Sequence, residues 1–124
     1  MYPNPLRAYQ SVEKATSSGR EIEARVLTQA ALKLKGCQKN WQTARKTDGL
    51  DEALRFNQRI WTIFQSELAQ PSNPLPNKIK IDLLRLSAFI DKRSLDIMAY
   101  PTPEKLSILI DINHNIAAGL RNSP

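Results

Sequence analysis

Apolar residues recur along this chain at steps of three and four, the spacing of helix faces, and nowhere show the sustained alternation of a strand. From Gly19 to Lys46, Ile22, Val26, Leu27, Ala30, Leu34, Cys37, Trp41 and Ala44 fall on one side at about 100° per residue. Lys35, Lys39, Lys46 and the apolar Leu32 fall opposite. Ser17 or Ser18 is the expected N-cap, and Glu21 follows Ser18 at capping-box spacing. A second helix is expected from about Leu50 to Gln70. Leu50, Ala53, Leu54, Asn57, Ile60, Trp61, Phe64 and Leu68 share its face, and Phe56 and Ile63 widen that face to roughly half the circumference, enough for two neighbours.

Pro71-Ser72-Asn73-Pro74-Leu75-Pro76 ends that segment, because proline removes a donor and restricts the residue before it. A third helix follows, with Pro76 suited to its first turn, and runs to about Ala99. It carries two stripes: Ile79, Leu83, Leu86, Ile90 and Ile97 on one side, and Ile81, Leu84, Ala88 and Leu95 nearly opposite. A helix apolar on two faces is either central or keeps one face for a partner. The last helix starts with Thr102 as cap, Pro103 at the first helical position and Glu104 near the positive end of the dipole. Its stripe is Leu106, Leu109, Ile110, Asn113, Ile116, Ala117 and Leu120, with Ile108 and Ile112 as a second ridge. The fold class is therefore all-α: a single-domain bundle of four main helices over residues 18–124, preceded by a short N-terminal helical arm over residues 1–17, in which Leu6 to Lys14 has a weak helical pattern.

Composition narrows the function. A chain of 124 residues with 41% apolar content suits one domain. No apolar run approaches the ~20 residues of a membrane span, no h-region follows Met1, and the single Cys37 fits a reducing compartment, so the cytoplasm is the expected location and no membrane insertion is expected. The formal net charge of +6 is concentrated in Lys33, Lys35, Lys39, Arg45 and Lys46, with no acid between them. Such a stretch is a solvated helix face or a phosphate-contacting patch. Trp41, the only aromatic within it, faces the core side and is not free to stack on bases, which argues against direct RNA binding.

Little in the chain resembles catalytic machinery. His114 has no Cys or carboxylate at ligand spacing and no nucleophile motif to join. Cys37 lies in a core stripe, where packing outweighs reactivity. Four scattered glycines form no phosphate-binding loop, and Asp48, Asp51 and Glu52 cluster at a helix start where acids are expected anyway. No catalytic, cofactor-binding or metal-binding residue and no small-molecule substrate is expected; the chain reads as a binding protein, not an enzyme. Asn57 and Asn113 are more telling. Each sits mid-stripe, and a buried amide has to be hydrogen-bonded or costs a few kcal/mol, so they either fix helix register or line a groove and bond a partner's backbone.

Several short runs resemble the FlaF family of flagellar biosynthesis regulators. They are Ala8-Tyr9-Gln10, then Arg20-Glu21-Ile22-Glu23-Ala24, then Ala53-Leu54 with Asn57 and Trp61, then Asn73-Pro74-Leu75-Pro76, and finally Leu109-Ile110-Asp111-Ile112-Asn113 with Ala117, Gly119 and Leu120. They are ordered along nearly the whole chain; Lys39 to Thr47 carries none of the pattern. The resemblance implies a protein that acts with flagellin in its synthesis and export, alongside a second regulator, FlbT, linked to flagellin messenger RNA. The expected function is a cytoplasmic, chaperone-like flagellin binder. The alternative is post-transcriptional regulation by binding that message, directly or through FlbT. The expected partner-binding residues are Ile81, Leu84, Ala88 and Leu95 with Arg85 at the rim beside Asp91 and Lys92, and Asn57 and Asn113 if they line a groove.

Overall fold

A computed structural model describes residues 19–122, so the arm over residues 1–17, its weak helical pattern and the Ser17 or Ser18 cap lie outside the described residues. The described chain is all-α and contains no strand. In order it forms α1 (Gly19–Lys39), α2 (Trp41–Lys46), α3 (Gly49–Ala69), α4 (Asn77–Ala99), a 3₁₀ turn (Pro103–Lys105) and α5 (Leu106–Asn122).

The expected single helix from Gly19 to Lys46 is broken at Asn40. The Asn40 side-chain amide donates to Gly36 O at 3.3 Å, competing with the helical ladder, and its backbone leaves the helical region at φ −114°, ψ 52°. The short α2 that follows buries Ala44 and leaves Trp41 half-buried against the core. Thr47 then ends α2 by donating to Thr43 O at 2.9 Å and opens α3 by accepting from Gly49 N at 3.1 Å. A Cβ on Gly49 would stand 3.2 Å from Thr47 Oγ1 and 3.5 Å from Ala44 Cα, so the tightness of this turn favours glycine.

The core stripe of α1 is rotated from the expected one. Ile22 is 48% exposed, while Ala24 and Ala31 are fully buried beside Leu27, Ala30 and Leu34. Small side chains let α5 lie close against α1, and the two run antiparallel. Gln38 at the end of α1 donates to Pro103 O and Ser107 Oγ, both at 2.9 Å, and Arg121 at the end of α5 reaches back to Glu21 at 3.5 Å. In α3 the expected stripe is buried from Leu50 to Leu68, with Phe64 half-buried; of the two flanking residues, Phe56 is half-buried and Ile63 exposed.

The proline loop is folded by Asn73, whose amide donates to Glu67 O at 3.1 Å and whose carbonyl accepts from Leu75 N at 3.1 Å. Pro76 is the N-cap of α4 and not a first-turn residue, because it is extended at ψ 145°. Thr102 is extended, as an N-cap should be, and Pro103 follows it at the start of the turn, but the threonine hydroxyl makes no capping bond. Lys105 secures this corner instead, at 3.0 Å from Asp96 and 2.7 Å from Tyr100 O.

Candidate partner-binding surface

α4 turns a mixed face inward. Residues 83, 87, 90, 94 and 97 form its core-side stripe, and two of them are serines: Ser87 and Ser94 are fully buried, alternating with Ile90 and Ile97. Each hydroxyl needs a partner there. Ser94 donates to Ile90 O of its own helix at 2.7 Å. Ser87 is bonded by the Gln65 side chain of α3, which also donates to Asp91 at 3.1 Å. Leu83 and Leu86 are half-buried, and Ile79, expected on the core side, is exposed.

The opposite face of α4 holds the large apolar side chains that this arrangement leaves out. Leu95 is 63% exposed and Ile81 48%; Ala88 and Arg85 are exposed and Leu84 is half-buried. Met98 extends the face toward the helix end. An apolar helix face of this kind, flanked by Arg85, Asp91 and Lys92, is the surface an amphipathic helix can lie along.

Asn57 and Asn113 are brought together, and both are fully buried. Trp61 Nε1 donates to Asn113 Oδ1 at 2.9 Å, and Asn113 Nδ2 donates to Asn57 Oδ1 at 2.7 Å. An indole N–H can only donate, so it orients Asn113, which in turn orients Asn57. The chain ends on Asn57 Nδ2, which has no hydrogen-bond partner among the described residues. These amides tie α3 to α5 across the core and set their register. Trp61 also meets Phe64 edge to face, with ring centroids 5.5 Å apart.

At the end of the bundle where α1 begins there is a second, concave surface of about 260 Å³. Phe64, Leu75, Leu83, Ile116 and Leu120 line it, with Arg20, Glu23 and Glu67 among the polar groups. Burial pushes the Glu23 carboxyl above its ordinary range; repulsion from Glu67 and a hydrogen bond to it push further, and Arg20 offsets only part. Sequence reading missed this groove entirely.

The basic stretch lies partly over the protein's own rings. Lys33 stands 5.0 Å from the Phe56 centroid and Arg45 5.9 Å from that of Trp41. Trp41 is half-buried, packed against the core and lying under Arg45. Cys37 is buried, donates to Gly49 O at 3.4 Å, and burial raises its thiol pKa, which keeps it protonated and unreactive. His114 is exposed. No group of three or more His, Cys, Asp or Glu side chains among the described residues could hold a metal ion, and none of the described helices is long and apolar enough to cross a membrane.

Compared with known families, residues 5–120 match the model of the flagellar protein FlaF. No curated protein and no solved structure matches the chain.

Proposed function

The chain belongs to the FlaF family of flagellar proteins, and on that footing we propose that it is a non-catalytic, cytoplasmic binding protein that holds flagellin in a chaperone-like manner and so supports flagellin synthesis and export. The observation that carries this reading is the outer face of α4, where Ile81, Ala88 and Leu95 stand in solvent with Leu84 half-buried among them. Flagellin's terminal segments are helical in the filament and expose apolar stripes before assembly. Such a stripe would lie against α4 with its polar side in water, the helix-in-groove mode of recognition. Asn57 and Asn113 serve this reading indirectly, by fixing the bundle that displays the face. FlbT is the second partner the family suggests, acting on flagellin messenger RNA.

Co-purification of flagellin with the full chain, and with Leu95→Asp, tests the reading. Leu95 is exposed, so the variant should keep its melting temperature while flagellin recovery falls at least tenfold. Unchanged recovery would remove α4 from the binding site. Replacing Lys35, Lys39 and Lys46 by Gln should leave recovery within a fewfold. A large loss that tracks ionic strength would favour the messenger-RNA reading, since phosphate contacts weaken steeply with salt.

A further inference from the structure

α4 is held to the bundle on one side. It packs along α3, whereas α1 packs on both α3 and α5, and among the described residues α4 makes no comparable contact with α1 or α5. In a closed up-and-down bundle each helix lies between two neighbours. The seam left open here is the groove of about 260 Å³ at the end where α1 begins. Phe64 of α3, Leu83 of α4, Leu120 of α5 and Leu75 of the proline loop line it, and all four are half-buried, with surface still open to the groove. The space far exceeds the ~30 Å³ that one water takes in the liquid, and it stays below the ~300 Å³ at which pockets for whole small molecules begin. It suits a bulky side chain and not a cofactor.

The rim of this seam is acidic, although the chain as a whole carries a net charge of +6. Glu23 of α1 is half-buried there, with Glu67 of α3 beside it, and Arg20 offsets only part of the repulsion between the two carboxyls. A cation set between them gains from both, and gains more than at an open surface because Glu23 is partly desolvated. A neutral partner leaves the repulsion in place, and an acidic one adds to it. The geometry points to this groove as a docking site for a protein segment that sets a bulky apolar side chain among Leu75, Leu83 and Leu120 and, beside it, a lysine or arginine against Glu23 and Glu67. The site is distinct from the outer face of α4, because Leu83 lies on the core-side stripe, away from Ile81 and Leu95. It therefore stands whether or not that outer face receives flagellin.

The test uses the full chain and three synthetic amphipathic peptides, each with a stripe of leucines and otherwise uncharged polar residues. They differ at one position beside the central leucine, which is lysine, glutamine or glutamate. Binding is followed through the protein's methyl resonances by nuclear magnetic resonance. The lysine peptide should bind at least about fivefold more tightly than the glutamine peptide, since a charge-assisted contact outweighs a neutral one, and the glutamate peptide should bind most weakly. Net charge alone would give the reverse order on a chain of +6, so the ranking reports the local carboxyls. Shifts should concentrate at Leu75, Leu83 and Leu120 and spare Ile81 and Leu95. Glu23→Gln combined with Glu67→Gln should abolish the preference for lysine while the glutamine peptide still binds. A glutamate peptide that binds as tightly as the lysine peptide would overturn the inference. So would shifts centred on Ile81 and Leu95, a lysine preference that survives the double substitution, or no binding by any of the peptides at millimolar concentration.

Discussion

α1 and α4 both face the core with small side chains, and they differ in what those side chains cost. α1 uses Ala24, Ala30 and Ala31, which bring helices close without burying a polar group, and it keeps Leu27 and Leu34 fully buried among them. α4 uses Ser87 and Ser94, whose hydroxyls must be bonded when buried, one by its own helix and one by Gln65. α1 buries Leu27 and Leu34 and leaves two large apolar residues, Ile22 and Leu32, exposed, whereas α4 leaves five, Ile79, Ile81, Phe89, Leu95 and Met98, substantially exposed. One helix is committed to the core, and the other is attached to it while presenting its apolar surface outward. Elements held by fewer buried apolar contacts open at lower free energy, which is the behaviour expected of a helix that receives a partner.

The largest effect that would sharpen this contrast comes from truncating one leucine on each helix. Leu27→Ala should cost about 2–5 kcal/mol, the range for a fully buried leucine. Leu95→Ala should stay within about 0.5 kcal/mol, as exposed substitutions do. Chemical denaturation of the two variants measures both. Native-state hydrogen exchange sharpens the comparison further: amides of α4 should exchange through openings of lower free energy than those of α1. Equal protection along both helices would break the contrast.

Of similar size is the effect of breaking the buried amide chain. Asn113→Leu leaves two groups without partners, the Trp61 N–H and Asn57 Oδ1, at about 1–3 kcal/mol for each orphaned group. Asn57→Leu leaves only Asn113 Nδ2 unpaired and also removes Asn57 Nδ2, which has no partner among the described residues to lose. Asn113→Leu should thus be the more destabilising by at least about 1 kcal/mol in thermal or urea unfolding. The reverse order would mean that the donors do not run from Trp61 through Asn113 to Asn57.

These elements also show what periodicity could and could not reveal. The stripe of α3 was legible because large residues occupy Leu50, Leu54, Trp61, Phe64 and Leu68, and the mid-stripe amides stood out against them. The burial of both amides followed from that position, whereas their bond to each other did not, because it depends on how α3 and α5 meet. The inward face of α4 was misjudged because Ser87 and Ser94 hold core positions while looking polar, which drew Ile79 into the stripe in their place. The α1 stripe was offset because Ala24 and Ala31 weigh little in an apolar pattern, although close approach selects them. The break at Asn40 left no trace because apolar spacing continues from Cys37 through Trp41 to Ala44; an asparagine four residues after Gly36 was the available signal. The groove was illegible because Glu23, Glu67, Leu83 and Leu120 meet only through tertiary packing.

The smallest effect belongs to that groove. Glu23 has its pKa raised in the folded protein, first by burial and then by Glu67. A carboxyl whose folded pKa lies above its unfolded one binds more protons when folded, so stability falls as pH rises through the window between the two. The protonated Glu23 is thus a stabilising state, complete below the ordinary glutamate range of about 4.3 and lost as pH rises through the raised folded pKa. Glu23→Gln keeps a neutral polar group at all pH values. It should flatten this part of the stability profile and raise the unfolding free energy at pH 7, by no more than about 1 kcal/mol since the group is partly solvated. Glu67→Gln should remove only the smaller part of the slope, because burial outweighs the neighbouring charge as a cause. Melting curves between pH 4 and pH 8 on the three proteins decide it. If Glu67→Gln flattens the profile as completely as Glu23→Gln, repulsion dominates, and the groove wall near α1 is wetter than the folded structure describes.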